Sequence, residues 1–267
     1  MKPRIVHRRM TDRDVTAALE LSSGAGWNQT GQDWQLLLEL ASETCFAIDC
    51  EGTLAATATL LFHGAKLAWI GMVLTRPGHR RRGFATILLK EALRVADESG
   101  IETVKLDATE MGQPLYASLG FQPEQPVERW WRKEGVFATT VHASVNPAGT
   151  SAATDAFEAD RSRLLEALNG TRISDADAFL FTRPGRWARY LGPCVASRRE
   201  SARDLIDRAL SSDSSWCWDL LPENRAAVEL AREFGFTPAR KLVRMARGKP
   251  IRGEDERTYA IAGFELG

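Results

Sequence analysis

Residues 71–89 are GMVLTRPGHRRRGFATILL, in which a strand pattern is followed by a basic loop and then by a helix pattern. Pro77 and Gly78 end the strand, and apolar residues recur at helical spacing from Ala85 onward. The start of a helix has backbone N–H groups without partners and a partial positive charge. This stretch therefore predicts a site for a phosphate or pyrophosphate.

The loop has features that favour close contact with such an anion. Arg80, Arg81 and Arg82 add positive charge, while Gly83 and Ala85 let the backbone approach a ligand closely. A solvated basic turn before a surface helix would explain the arginine run alone equally well. The glycine–lysine pattern of P-loop enzymes and the three-glycine pattern of dinucleotide-binding domains are missing from the loop, which disfavours both classes.

The rest of the first half predicts alternating strands and helices. Strand patterns rich in apolar or β-branched residues occur at 5–9, 45–48, 53–62, 67–75 and 103–106. Helix patterns occur after Thr11, at 32–41 and at 85–98, and Pro114 begins a short helix that Gly120 ends.

Composition narrows the function classes. The 267 residues are enough for two domains, and 35 basic residues balance 35 acidic ones, which argues against nucleic acid or an anionic membrane as the main partner. Four scattered cysteines are typical of reduced thiols in a cytoplasmic protein, and no apolar run is long enough to span a bilayer. The four histidines lie in separate segments, so we expect no metal site.

The chain resembles the GNAT acetyltransferase superfamily, whose signature is Arg or Gln, two residues, Gly, one residue, and Gly or Ala. Arg80, Gly83 and Ala85 match this signature, and LYASLGF at 115–121 matches the strand–helix ending. The resemblance covers 4–132. It implies an α/β (α+β) fold with a mixed, largely antiparallel sheet flanked by helices.

The resemblance also implies acetyl-CoA as co-substrate. In the family, the pantetheine arm pairs with the end of the signature strand, and the loop amides hold the pyrophosphate. The positions implied here are Met72, Val73, Leu74, Arg80, Arg81, Arg82, Gly83, Phe84, Ala85 and Thr86.

Two catalytic roles follow from direct transfer to an amine. Tyr116 matches the tyrosine with which many superfamily members protonate the departing thiolate, although a core tyrosine would fit the same position. The ammonium proton needs an acceptor, for which Asp107 at a strand end is the first candidate and Glu110 a weaker one. Asp107 could instead cap the loop that follows it.

The acceptor side of a GNAT groove is formed by the segment between the first two helices. Here that segment contains Trp27, Asn28 and Gln29, which could stack on and orient a short polar acceptor. The alternative is a corner between two helices, with Trp27 buried and Asn28 capping.

The second half repeats a similar order of elements and predicts a degenerate GNAT-like unit. We assign 1–140 to a GNAT domain, 141–153 to a linker and 154–267 to a smaller GNAT-like domain. Residues 197–202, where the signature loop would lie, contain Glu200 and no glycine, so one acetyl-CoA site is expected. The second half would close the acceptor cleft or complete the first sheet.

Some second-half residues have two interpretations. Three arginines could recognise a carboxylate or phosphate, or form a solvated face: Arg183, Arg186 and Arg189. Capping is favoured for Asp219 and Asn224.

The sequence thus predicts an N-acetyltransferase that transfers the acetyl group directly to an amine, with a small-molecule acceptor fitting a neutral protein best. One alternative is a non-catalytic acyl-CoA sensor, which would not need Tyr116. Another is an acyltransferase that uses a longer acyl chain or an amino-acid acceptor, which shares every motif. A homodimer is left open, because Trp130 and Trp131 would suit either a domain interface or a dimer.

Overall fold

The computed structural model describes residues 3–135, 155–210 and 213–267. The expected linker 141–153 lies outside these residues. The first half contains β1 (Ile5–Arg9), α1 (Val15–Gly24), α2 (Gly31–Ala41), β2 (Cys45–Cys50), β3 (Thr53–His63), β4 (Leu67–Thr75), α3 (Phe84–Glu98), β5 (Thr103–Ala108), α4 (Gln113–Ser118) and β6 (Gln122–Arg132). The second contains α5 (Ser162–Ala167), β7 (Thr171–Asp175), β8 (Ala178–Arg183), β9 (Arg189–Ala196), α6 (Arg199–Ala209), β10 (Trp216–Leu220), α7 (Arg225–Glu233), β11 (Thr237–Gly248) and β12 (Thr258–Ala260).

Local chemistry explains where several elements begin. The Thr30 side chain accepts a hydrogen bond from the Asp33 backbone, and Asp33 accepts one from the Thr30 backbone at 2.7 Å, so a capping box starts α2. The helix α3 is amphipathic and buries Leu88, Leu89 and Ala92 against the sheet.

The second half differs from its sequence pattern in two places. A helix was expected over residues 156–168, but α5 begins only at Ser162, after a turn in which the Asp160 side chain accepts from the Ser162 backbone at 3.0 Å. Strand β6 had no clear signal, since Pro123 and Pro126 cannot donate to a ladder.

The twelve strands of the described residues belong to one sheet, in the order β1-β2-β3-β4-β5-β11-β6-β10-β9-β8-β7, with β12 paired to β9. The halves exchange strands, because β11 lies between β5 and β6 while β6 lies between β11 and β10. The second half therefore completes the sheet of the first half. Trp130 of β6 packs with second-half residues such as Trp218, which puts it at the junction of the halves.

The sheet opens between β4 and β5. These parallel strands pair only from Leu67–Thr103 to Trp69–Lys105, although each strand continues beyond that point. Further along β4, the register against β3 shifts by one residue and Met72 has a left-handed φ of 49°. This β-bulge turns the strand away from its neighbour and leaves one side of β4 facing a groove.

A buried lysine joins the halves beneath this opening. Lys105 of β5 is 1% exposed, and its Nζ donates to Glu124 at 3.0 Å, to Glu158 at 2.8 Å and to the Ile251 carbonyl at 2.6 Å. Glu158 and Ile251 belong to the second half. The cluster therefore connects the edge of the open strand pair to the exchanged part of the fold.

Replacing this lysine should destabilise the protein strongly. The Lys105→Met variant leaves two carboxylates without their cation, which is expected to lower the free energy of unfolding by about 3–5 kcal/mol. Urea unfolding followed by tryptophan fluorescence measures the change. In the matched variant Lys66→Met the side chain is 69% exposed and 3.6 Å from Glu102, so a loss below about 1 kcal/mol is expected. Equal losses would contradict the proposed role of the buried cluster.

Candidate active site

A groove follows the opening between β4 and β5. Its walls come from the end of β4, the loop before α3, the loop before α4 and one arginine of β11. Lining residues include Val73, Leu74, Thr75, Arg80, Arg81, Gly83, Phe84, Ala85, Thr86, Tyr116 and Arg240. Most of the positions predicted for acetyl-CoA thus lie along one groove.

The loop before α3 offers backbone donors to this groove. Gly83 precedes the helix with φ of 80° and Arg81 has φ of 60°. The first bond at the helix start runs from the Ile87 N–H to the Gly83 carbonyl at 3.0 Å. Within the described residues, the N–H groups of 81–86 make no hydrogen bond. These donors fit a pyrophosphate.

The three loop arginines do not all face the groove. Arg80 and Arg81 line it. The Arg82 guanidinium instead lies 5.0 Å from the Phe84 ring centre, and its Nη1 is 3.5 Å from the Cys50 sulfur. Arg82 therefore packs on the outer side of the loop.

A smaller cavity of about 90 Å³ adjoins the groove. Five residues line both spaces: Trp27, Val73, Thr109, Tyr116 and Arg240. The cavity is further lined by Gln29, Ile70, Gly71, Met72, Leu106, Asp107, Arg129, Leu242, Phe264 and Glu265. The bulged end of β4 therefore lies where the two spaces meet.

Tyr116 lies at this meeting point. The ring is half-buried, and within the described residues its hydroxyl makes no hydrogen bond. Burial raises the pKa of Tyr116 to about 12, so the phenol is protonated at neutral pH. A Cβ on Gly112 would come within 2.8 Å of this ring, so glycine is needed there. The hydroxyl is free to donate to a group in the groove.

Asp107 lies in the cavity wall but is held by an arginine. The Arg244 guanidinium donates to both carboxylate oxygens, at 2.9 and 3.1 Å, and the side chain of Asp107 is fully buried. Burial raises the pKa of Asp107, and the charge of Arg244 opposes that rise. Asp107 thus shares its oxygens with a neighbour on β11.

Residues of the loop before α2 have two different environments. Trp27 and Gln29, the residues considered for the acceptor side, line the cavity. Asn28 does not line it: its Nδ2 donates to the Ala188 carbonyl at 2.8 Å, and its Oδ1 accepts from the Trp187 N–H at 2.8 Å. Asn28 therefore fastens the loop to the second half.

Several cavity residues escaped the sequence prediction because they come from strands and turns that the sequence does not connect to this site. Arg129, Arg240, Phe264 and Glu265 lie more than 100 residues from Trp27 in the chain, and no local motif marks them.

The segment 261–267 brings two of these residues to the cavity. Trp69 donates to the Phe264 carbonyl at 3.0 Å, and the His63 Nε2 lies 2.9 Å from the Leu266 carbonyl. Burial lowers the pKa of His63 to about 4, so the ring is neutral and donates this bond. A Cβ on Gly71 would lie 2.6 Å from the Glu265 carbonyl, so glycine permits the segment to cross β4.

The comparisons agree with this architecture. Residues 15–121 match the acetyltransferase (GNAT) family and residues 153–260 match an acetyltransferase (GNAT) domain. The chain belongs to the GNAT acetyltransferases. As a tandem GNAT protein it is an acyltransferase, and acetyl-CoA is the acyl donor of that family.

Solved structures support the same fold. A Pyrococcus horikoshii protein described as an acetyltransferase has a TM-score of 0.85 at 21% identity, covering 98% of this chain and 96% of that one. A GCN5-related N-acetyltransferase of Sphaerobacter thermophilus has a TM-score of 0.63 at 14% identity, covering 92% of this chain and 96% of that one. No curated protein matches the chain in sequence.

The second GNAT unit lacks the features of the first loop. At the start of α6, Arg199 pairs with Glu233 at 2.9 Å, and the Ser201 hydroxyl donates to Asp177 at 3.0 Å. Asn224 caps α7 through a bond from the Ala227 N–H, which confirms the capping interpretation, whereas Asp219 pairs with Arg129 instead.

The three arginines considered for acceptor recognition lie outside the cavity lining. Arg183 is buried between Asp33 and Glu265, Arg186 lies over the Trp187 ring, and Arg189 lies over the Trp216 ring. Among the residues with described positions, no cluster of three potential metal ligands occurs. None of the helices in those ranges is long and apolar enough to cross a bilayer.

Proposed function

We propose that this tandem GNAT protein is an acetyl-CoA-dependent N-acetyltransferase that acts on a small-molecule amine. One observation carries the proposal: a continuous path leads from the unpaired amides of 81–86, along the open side of β4, to a small cavity with Tyr116 at its entrance. The pyrophosphate of acetyl-CoA would bind at these amides, its thioester would lie along β4, and the acceptor amine would enter the cavity.

The chain's own groups have roles suited to acetyl transfer. Backbone amides near Val73, on the side of β4 that β5 leaves open, would polarise the thioester carbonyl. The Tyr116 hydroxyl would protonate the departing sulfur. Acetyl-CoA supplies the activated acyl group when bound.

The size of the cavity favours a small acceptor. Residues from both halves enclose it, among them Trp27 from the first half and Phe264 from the second. A space of about 90 Å³ accommodates a small group but not a folded partner. The alternative of a non-catalytic sensor does not explain a protonated, unbonded tyrosine at the entrance.

A charge placed among the loop amides should block acetyl-CoA. The Gly83→Asp variant introduces a carboxylate where the pyrophosphate would bind and removes glycine from a left-handed position. Lost charge-assisted hydrogen bonds are expected to weaken binding about 10- to 100-fold. Calorimetric titration should show one site per wild-type chain, because the second unit lacks the loop.

The matched control is Gly78→Asp, which adds the same charge at an exposed position outside the groove lining. Its affinity for acetyl-CoA should equal that of the wild type. No binding by the wild type, or unchanged binding by Gly83→Asp, would contradict the proposed site.

Removing the tyrosine hydroxyl should slow the reaction without affecting binding. For Tyr116→Phe we expect kcat to fall about 100-fold or more, as for loss of a general acid, with an unchanged Kd for acetyl-CoA. A thiol reagent detects released CoA. The control is Tyr259→Phe, in the second-half core. Thiol release that is unaffected by Tyr116→Phe would exclude the acid role, and an absence of release with every amine would favour the sensor.

A further inference from the structure

Glu265 combines burial with an unused carboxylate oxygen in the acceptor cavity. The residue is 3% exposed and lines the cavity. Its Oε1 accepts from the Arg183 guanidinium at 3.0 Å. Its Oε2 is buried and has no hydrogen-bond partner within the described ranges.

A buried carboxylate oxygen without a donor is costly, so a donor is expected from a molecule that enters the cavity. Gln29 also indicates a ligand that donates hydrogen bonds. It is 4% exposed, lines the cavity, and its side-chain amide makes no hydrogen bond within the described residues. An ammonium group can donate to both side chains.

The predicted base Asp107 differs in this respect. Both of its oxygens already accept from Arg244, so an ammonium would have to compete with a buried bidentate ion pair. Glu265 has one oxygen held by Arg183 and one available.

We propose that Glu265, contributed by the second GNAT unit, binds the ammonium group of the acceptor and accepts its proton. The proposal rests on the proposed acetyltransferase function and assigns its proton acceptor.

The surroundings of Glu265 make it a suitable base. Burial raises the pKa of its carboxyl and the charge of Asp33 adds to the rise, whereas Arg183, Arg129 and the backbone N–H of Glu265 oppose it. The charged and titratable groups that interact with it are Arg183, Asp33, Arg129, Tyr190 and Cys217. A base with a pKa closer to neutrality removes an ammonium proton more effectively.

The ammonium gives one proton to Glu265, which releases it to solvent, and the neutral amine forms a C–N bond with the thioester carbonyl carbon. The C–S bond breaks and its electron pair leaves on sulfur. Tyr116 protonates the sulfur and is reprotonated through solvent by the excess proton on nitrogen. Ammonium and thioester become amide, thiol and one released proton.

The test compares two nucleophiles in Glu265→Gln. One is the fastest substrate from a panel of amino acids and aliphatic amines, and the other is hydroxylamine, which is largely unprotonated at neutral pH. For the basic amine, kcat should fall about 100-fold or more, with the acid limb of the pH profile lost. Hydroxylamine should react within a few-fold of the wild-type rate, because it needs no base.

Two variants separate this role from structural damage. Glu265→Asp keeps the charge and should retain part of the activity toward the basic amine. Glu229→Gln removes a carboxylate whose side chain is 63% exposed and lies outside both the groove and the cavity, and it should react like the wild type.

Some outcomes would overturn the assignment. One is full activity of Glu265→Gln, and another is an equal loss of kcat with the basic amine and with hydroxylamine. A third is that Asp107→Asn loses activity with the basic amine but keeps it with hydroxylamine. The last is a wild type that binds acetyl-CoA but acetylates no amine. Failure to bind acetyl-CoA at all would instead reject the proposed function.

A second observation concerns Arg240 and the part of the acceptor that lies away from its amine. Arg240 lines both the groove and the cavity, is half-buried, and has no hydrogen bond or ion pair within the described residues. It is the cross-strand partner of Arg129, whose own charge is neutralised by Asp219 at 2.6 Å. Burial and the charge of Arg129 lower the pKa of Arg240, and the charge of Asp219 opposes this.

A half-buried guanidinium that has no ion pair of its own and lies across from a second arginine is suited to bind an anion. We infer that Arg240 binds a carboxylate of the acceptor, which makes the acceptor class an amino acid or a similar amino acid-like amine. The phosphates of acetyl-CoA are the other possible source of that anion.

Matched pairs of amino acids and their amides distinguish these sources. The wild type should acetylate the free acids preferentially, and Arg240→Gln should raise their KM about 10-fold or more with an unchanged Kd for acetyl-CoA. Arg186→Gln, an exposed arginine outside both spaces, is the control. Equal use of amides, acetylation of no amino acid, or weaker acetyl-CoA binding with an unchanged acceptor KM would overturn the inference.

Discussion

The pairing of β11 with β5 is the constraint on which the rest of the structure depends. It runs from Val243–Ala108 to Gly248–Thr103 and occupies the edge of β5 that faces away from β4. Because β5 is held on this side, β4 can diverge from it after Trp69 without leaving both edges of β5 unpaired. The groove therefore depends on a strand supplied by the other half of the chain.

Buried charges also hold the exchanged strands in place. Within the described residues, four buried ion-pair groups connect distant parts of the chain, centred on Lys105, Arg129, Arg183 and Arg244. Buried ion pairs gain little net stability, since desolvation offsets their attraction, but a shifted strand would leave each charge uncompensated. Their main effect is thus to exclude other registers of the exchanged strands. A fixed register is needed because strand residues of both halves line the cavity.

How much the sequence could predict depends on the range of the interactions. The loop around Gly83 and the helix after it are determined locally, by backbone conformation and periodicity, and both were predicted within a residue or two. Strand β6 was missed because Pro123 argues against a ladder, and only its two neighbours explain its conformation. Glu265 and Arg240 carry no motif, so only the folded chain could bring them to Tyr116.

The two halves have diverged in complementary ways. At the start of α6 the second unit has paired side chains, Arg199 with Glu233 and Ser201 with Asp177, where the first unit has Gly83. Yet the cavity of the first unit is incomplete without the segment 261–267, whose path across β4 is possible only because residue 71 is glycine. The second unit thus contributes Phe264 and Glu265 to a cavity of the first, so the lining of that cavity depends on the register of the exchanged strands more than on the residues at the start of α6.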